Sequence, residues 1–187
     1  MRNNIYVGLV HYPVYNKNRD VVATSVTNFD IHDISRTCRT YNRKKYFIIT
    51  PVDAQKELTG RIIDYWTEGE GTDFNRNRKE AFENTDMEDS IESVMINIEK
   101  SEGISPKVIT TSAKTFPNTV PYKELGKEMT EDKSPYLILF GTGWGLTDEI
   151  MDISYKVLEP IRGKTEYNHL SVRSAVSIIL DRLLGEN

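Results

Sequence analysis

Cysteine is almost missing: the 187-residue chain has one, Cys38. A single thiol closes no internal disulfide and fits a reducing compartment, so a cytoplasmic location is expected. Neither a Cys-x-x-Cys pair nor a His-Glu-x-x-His run occurs, and no metal site is expected. No apolar run approaches the roughly 20 residues that span a bilayer. Met1-Arg2-Asn3-Asn4 leads straight into a strand-like segment, too short an approach for a signal peptide with a cleavage site. Positive charge is not in excess either. The net charge is −4, against the basic total usual for a dedicated nucleic-acid binder. Phosphate contact depends on a local patch, however, and much of the acidity falls between Glu68 and Glu102. Arg36 and Arg39 lie near Cys38, and neighbouring cations lower a thiol pKa. A plain helix-face cysteine is the preferred reading.

What remains is a chain with 38% hydrophobic and 10% aromatic residues, enough to bury the core of one domain. Residues 5–12 are β-rich and apolar and read as a central first strand, with Gly8 marking a close backbone approach. Pro13 ends it, and residues 15–20 form a polar turn. In Asn28-Phe29-Asp30 an Asn or Asp caps a helix over residues 31–41, with Ile31 and Ile34 inward. Spacing of three and four residues sets Arg36, Arg39 and Arg43 on one face. Further strands are predicted at 46–50 and 107–111. Helices are predicted at 53–66, 87–100 (Ile91, Val94, Met95 and Ile98 inward) and 121–129, and residues 67–79 read as a loop. Strands alternating with helices predict one α/β domain with a mainly parallel sheet.

The stretch from Pro135 to Asp181 organises the chain. Apolar runs at 136–140 and 155–158 are short, bounded by breakers, and read as buried strands. Gly141, Gly143 and Gly145 follow the first of them, and glycine lets backbone approach a ligand closely. The carboxyl end of a strand is where open α/β sheets keep their ligand sites. A closing helix over 170–184 carries apolar residues on more than one stripe, so two partners are expected to cover it.

The order strand, Gly141-Thr142-Gly143-Trp144-Gly145-Leu146, strand, Glu159-Pro160-Ile161-Arg162-Gly163, then Asn168-His169-Leu170-Ser171-Val172 resembles the SPOUT (SpoU–TrmD) class of RNA methyltransferases. Asp30-Ile31-His32-Asp33-Ile34-Ser35-Arg36-Thr37-Cys38 resembles the Asn-to-Arg-Thr motif of the SpoU/TrmH-like branch. The whole chain is similar to a small stand-alone bacterial family of that class, with matches at residues 6–12, 26–41, 137–149 and 157–184. The resemblance implies a C-terminal deep trefoil knot and a homodimer with the closing helix at its interface. It implies S-adenosylmethionine (SAM) as cofactor, held by Thr110, Thr111 and Ser112, by Phe140, Gly141, Thr142, Gly143, Trp144, Gly145 and Leu146, by Leu158, Pro160 and Ile161, and by Asn168, His169, Leu170 and Ser171. The implied substrate is tRNA or rRNA.

Methyl transfer from a sulfonium needs alignment, exclusion of water and removal of one proton, which suits a site without a large catalytic cluster. In the SpoU-like branch the residue matching Arg36 activates the acceptor ribose hydroxyl. Guanidinium is a poor base, so binding phosphate and positioning the hydroxyl is the more natural role. Asp30, His32 and His169 depart from the branch pattern, which has Asn, Gly and Asn there. Asp30 and His169 join Arg36 as catalytic candidates, and His32 and His169 are candidate proton acceptors because an ordinary imidazole pKa lies near neutrality. A ribose 2′-hydroxyl is favoured as acceptor, with a base nitrogen as the alternative. RNA phosphates are expected on Arg36, Arg39, Arg43, Lys44 and Lys45, extending to residues 76–79, with Tyr41 or Tyr46 stacking on an unpaired base. Two rivals stand. A dinucleotide-dependent oxidoreductase would use the glycines and Glu159 as ribose-binding acid, though the third glycine comes one residue early and little chain follows. A non-catalytic RNA- or SAM-binding protein would share the fold.

Overall fold

Short apolar runs stopped by breakers become strands, and the amphipathic stretches between them become helices. The computed structural model describes residues 4–185, so Met1, Arg2 and Asn3 of the opening segment lie outside the described residues. The first part of the chain forms β1 (Ile5–Val10), a small hairpin of β2 (Val14–Tyr15) and β3 (Val21–Val22), α1 (Asn28–Thr40), β4 (Lys45–Ile49) and α2 (Asp53–Thr67). The middle supplies α3 (Gly71–Phe74), α4 (Arg76–Phe82), β5 (Thr85–Glu88), α5 (Ile91–Glu102), β6 (Lys107–Thr111), β7 (Thr119–Val120) and α6 (Tyr122–Glu131). The organising stretch gives β8 (Tyr136–Gly141), α7 (Asp148–Asp152), β9 (Lys156–Leu158) and α8 (Val172–Leu184).

Seven strands form one sheet in the order β5-β4-β1-β8-β6-β9-β7, with every neighbouring pair parallel. Parallel strands are covered on both faces, which explains why β1 is buried at all six residues instead of alternating. Ile5, Val7 and Leu9 pack with Ile31 and Ile34 of α1, Leu125 of α6 and Val176 and Leu180 of α8. Tyr6 and Val10 face the other way, with Val94 and Ile98 of α5 and Ile150 of α7. Gly8 is the close approach expected of it. A Cβ there would come within 2.7 Å of Leu139 Cδ2 and 3.2 Å of Ile49 Cδ1.

Four expectations change. The N-cap of α1 is Thr27, not Asn28 or Asp30: its hydroxyl accepts from Asp30 N and donates to Asp30 Oδ2 at 2.6 Å. Residues 67–79 are largely helical. Asn75 accepts from Arg78 N and starts α4, which buries Ala81 and Phe82 beyond the end of the polar run. Met87 belongs to the edge strand β5, and α5 begins only at Ile91, where Ser90 and Ser93 form a capping box. The closing helix starts at Val172, capped by Ser171, which leaves Leu170 outside it and exposed. Within the chain, α8 packs against α1, α6 and β8.

Candidate active site

Because β8, β6 and β9 are adjacent and parallel, the segments following them converge on one carboxyl edge although they are far apart in sequence. Side-chain hydrogen bonds join these segments. Thr111 Oγ1 donates to Leu139 O at 3.0 Å, Asn168 Nδ2 donates to Ala113 O at 2.9 Å, and Arg162 donates to Thr115 Oγ1 at 3.1 Å. Thr110 is fully buried with its hydroxyl 2.8 Å from Ser154 Oγ, so it supports the edge from below. The side chains of Phe140, Leu158 and Pro160 are core, leaving their backbone as the part a ligand can meet. Ser112 accepts from Lys114 N, Ile161 is half-buried, and His169 and Leu170 are exposed, the His169 ring standing 5.5 Å from Tyr167. A 300 Å³ cavity lies at this end, lined by Thr115, Thr119, Glu159, Pro160, Arg162 and Arg182. A larger hollow of 530 Å³ runs along α5 near Glu88 at the opposite border of the sheet, away from these strand ends.

The glycine loop is held by the β2–β3 hairpin. Tyr15 N donates to Gly145 O, Trp144 N donates to Tyr15 O (both 2.9 Å), and Arg19 bridges to Asp148 at 2.6 Å. Gly143, at φ 58°, faces this hairpin: a Cβ would meet Tyr15 O at 3.0 Å and Thr24 Cγ2 at 3.3 Å. Its glycine answers to protein packing. Gly145 differs, with φ 103° and, among the described residues, no atom within 4 Å of where a Cβ would stand, so its outer side is open. Trp144, 70% exposed, stands between them.

Sequence reasoning missed His11, which follows β1 and is fully buried. Its Nδ1 is 3.0 Å from Thr24 Oγ1, and Thr24 Oγ1 is 2.5 Å from Thr142 Oγ1 in the glycine loop. Burial lowers the imidazole pKa to about 4, against a smaller upward pull from Asp30. A histidine at the end of a central strand, just before Pro13, was the available signal.

On the α1 side, Asp30 is buried. Beyond its bond with Thr27 it lies 3.6 Å from Arg173 Nε, and Arg173 also reaches Asp33 at 2.9 Å. Arg173 of α8 therefore ties the start of α1 to the segment carrying His169 and Ser171. Arg36 is exposed, and its side chain has no hydrogen-bond or ion-pair partner among the described residues. His32 lies edge-on to Phe82 at 4.8 Å and Trp66 at 5.7 Å, its pKa lowered by burial and by the nearby Arg78 and Arg36 cations.

The basic face expected around Arg36 is broken up. Arg39 pairs with Glu80 at 3.2 Å, Lys44 with Glu102, and Lys45 with Asp86 at 3.0 Å. Arg43 lies past the end of α1, is buried, and donates from Nε to Tyr41 O, so it does not share the face of Arg36. Tyr41 OH donates to Asp181, and Tyr46 is wholly buried with its phenol pKa raised by desolvation, so it is shut off from any base. Cys38 is buried and its thiol is pushed up by desolvation, opposite to activation by its neighbours. Glu159 is also committed, accepting from Tyr122 N at the start of α6 at 2.8 Å. The dinucleotide reading loses its ribose-binding acid there, and the helix after the glycines has only five residues.

Residues 4–185 match the family model described as SAM-dependent RNA methyltransferase. An uncharacterized protein of Aquifex aeolicus is 41% identical over 187 residues, which span 100% of this chain and 91% of the relative. A protein of Nitratidesulfovibrio vulgaris named tRNA (guanine-N(1)-)-methyltransferase is 40% identical over 183 residues, 98% of this chain. The chain spans only 42% of that relative's length. Among solved structures, the A. aeolicus TrmH/SpoU tRNA modifying enzyme superposes with a TM-score of 0.56 at 16% identity, over 98% of this chain and 75% of that one, a likeness of fold. With a family match running almost from end to end, this chain belongs to the SAM-dependent RNA methyltransferase family.

Proposed function

We propose that this protein methylates a tRNA or rRNA nucleotide, with the ribose 2′-hydroxyl as favoured acceptor, and that SAM sits on the carboxyl edge of β8, β6 and β9. The observation that carries the reading is the meeting of three loops on that edge, joined through Asn168 and Ala113. The open side of Gly145 fits the cofactor, because a Cβ would fill the space there. SAM supplies an electrophilic methyl group on a sulfonium. Backbone groups of residues 141–146, 111–113 and 158–161 would hold it, and the buried Phe140, Leu158 and Pro160 would fix that backbone in place. A deep trefoil knot in the C-terminal part and a single domain belong to the same proposal.

Arg36 supports the ribose assignment. Among the described residues it is a partner-free guanidinium on α1, suited to grip a phosphate and set the adjacent hydroxyl. Asp30 and His169 are retained as proton acceptors, Asp30 being already engaged by Thr27 and Arg173. RNA contact would run from Arg36 toward Arg78, whose guanidinium stacks 4.4 Å over Trp66, instead of toward Arg43, Lys44 and Lys45. The homodimer would use Phe29 in the first turn of α1, 66% exposed against Arg173, and the exposed Leu170 just ahead of α8. A cytoplasmic setting follows from the substrate.

Two measurements test this. Calorimetry should give S-adenosylhomocysteine (SAH) binding and none for NAD. Comparison of modified nucleosides in total RNA from cells with and without the protein should show one methylated species lost. NAD binding without SAH binding, or an unchanged nucleoside profile, would reject the proposal.

A further inference from the structure

The hydroxyls between β1 and the glycine loop favour one direction. Thr142 Oγ1 lies 2.9 Å from Val10 O, a carbonyl that can only accept, so the Thr142 proton points there. The contact between Thr24 Oγ1 and Thr142 Oγ1 then takes its proton from Thr24. With the Thr24 proton on Thr142 rather than on the longer contact to His11 O at 3.5 Å, the contact between His11 Nδ1 and Thr24 Oγ1 requires Nδ1 to carry the hydrogen. Each donor in the series, His11 Nδ1, Thr24 Oγ1 and Thr142 Oγ1, is thereby used once, and Val10 O accepts at its end. His11 Nε2 is left as a bare lone pair, and among the described residues it is buried without a partner. An unpaired acceptor is the tolerable remainder, since the alternative tautomer would bury an N–H with no acceptor and leave Thr24 without a donor. Thr24 is held from a second side, its N–H donating to His11 O at 2.9 Å.

We propose that His11, as the neutral Nδ1–H tautomer, is a positioning residue for the cofactor: through Thr24 it fixes Thr142, and with Thr142 the arc from Gly141 to Gly145 on which SAM rests. The inference depends on the proposed cofactor site. His11 touches no reacting atom in this scheme and acts through two hydroxyls. Its depressed pKa agrees with a ring kept neutral across the physiological range.

Three variants separate positioning from space-filling. His11→Leu keeps the bulk and removes the donor. His11→Asn keeps an amide N–H near the place of Nδ1–H. Thr24→Val breaks the series at a half-buried residue, where loss of the fold is a smaller risk. SAH affinity measured by calorimetry should fall about tenfold in His11→Leu and in Thr24→Val, the worth of one lost hydrogen bond. It should stay within about twofold of wild type in His11→Asn. With total tRNA as substrate, KM for SAM should rise in the two weakened variants while kcat changes little. Nitrogen NMR of the unliganded protein should show His11 protonated at Nδ1. Equal SAH affinity in wild type and Thr24→Val, an Asn variant as weak as Leu, or a proton on Nε2 would each overturn the inference. A wild-type protein that binds no SAH would remove the cofactor site itself, and the inference with it.

Discussion

At the residue scale, burial decides which side chains are chemically available, and the same burial makes stability depend on pH. His11 has a folded pKa of about 4 against an ordinary 6.5. The unfolded chain therefore binds its proton first as pH falls. The stability this ring contributes is complete above pH 6.5 and is lost down to about pH 4, at about 1.4 kcal/mol per pH unit. Urea unfolding between pH 7 and 4 should show that slope in the wild type, and His11→Asn should flatten it. Glu128 acts lower. Burial pushes its carboxyl up, but hydrogen bonds from Lys156 and Tyr155 outweigh this and leave it at about 2, so its share is lost as pH falls from 4.5 through 2. Arg36 and Arg39 make the complementary contrast. Arg36→Ala should cut the saturated methylation rate by about 10²-fold through misplacement of the acceptor, with SAH affinity unchanged. Arg39→Ala, which breaks a half-exposed pair with Glu80, should leave that rate alone and change stability by less than about 1 kcal/mol. Single-turnover kinetics at saturating RNA distinguishes the two.

At the element scale, α4 shows what local chemistry can hide. The run Arg76-Asn77-Arg78-Lys79 has no apolar periodicity, yet Asn75 caps it, and Ala81 and Phe82 anchor its far end in the core. Asn75→Ala should destabilise the fold by about 1 kcal/mol, read as a lower urea midpoint with an unchanged slope. Elements whose burial follows from their own pattern were legible. β1, β8 and α5 announced themselves by apolar runs or periodicity, and Gly8 by standing in a strand. Elements that exist because of a distant partner were not. β7 has two residues and is defined by its pairing with β9, and β5 is an edge strand beside β4 whose Met87 reads as helical. The candidate site divides the same way. The loops could be read from glycines and chain order. The fate of Lys44 and Lys45 could not, because Glu102 and Asp86 lie 58 and 41 residues away along the chain. The hairpin behind Gly143 was equally invisible, since a glycine accommodating protein looks the same as one accommodating a ligand.

At the scale of the whole molecule, the proposed homodimer would rest on a small surface. α8 spends its apolar stripes on α1, α6 and β8, which leaves Phe29 and Leu170 as the exposed apolar residues beside Arg173. Light scattering at micromolar concentration should give twice the chain mass, and the pair Phe29→Glu with Leu170→Glu should return it to one. A wild-type monomer would rule out the dimer, and a dimer unmoved by both changes would place the contact elsewhere.

The sheet also dictates an order of events during synthesis. β1 pairs with β8 from Ile5 to Tyr136 through Val10 to Gly141, so one side of the first strand has no partner until residues near 140 are available. Its other side can pair with β4, from Tyr6 to Lys45 onward, much earlier. A nascent chain emerging at about 5–20 residues per second therefore carries a half-paired, wholly apolar strand for several seconds or more. Loop-closure entropy must be met before that distant pairing returns anything, which makes closure of the centre a slow step. Until then the open flank of β1 is the surface a chaperone, or a neighbouring nascent chain, would find first.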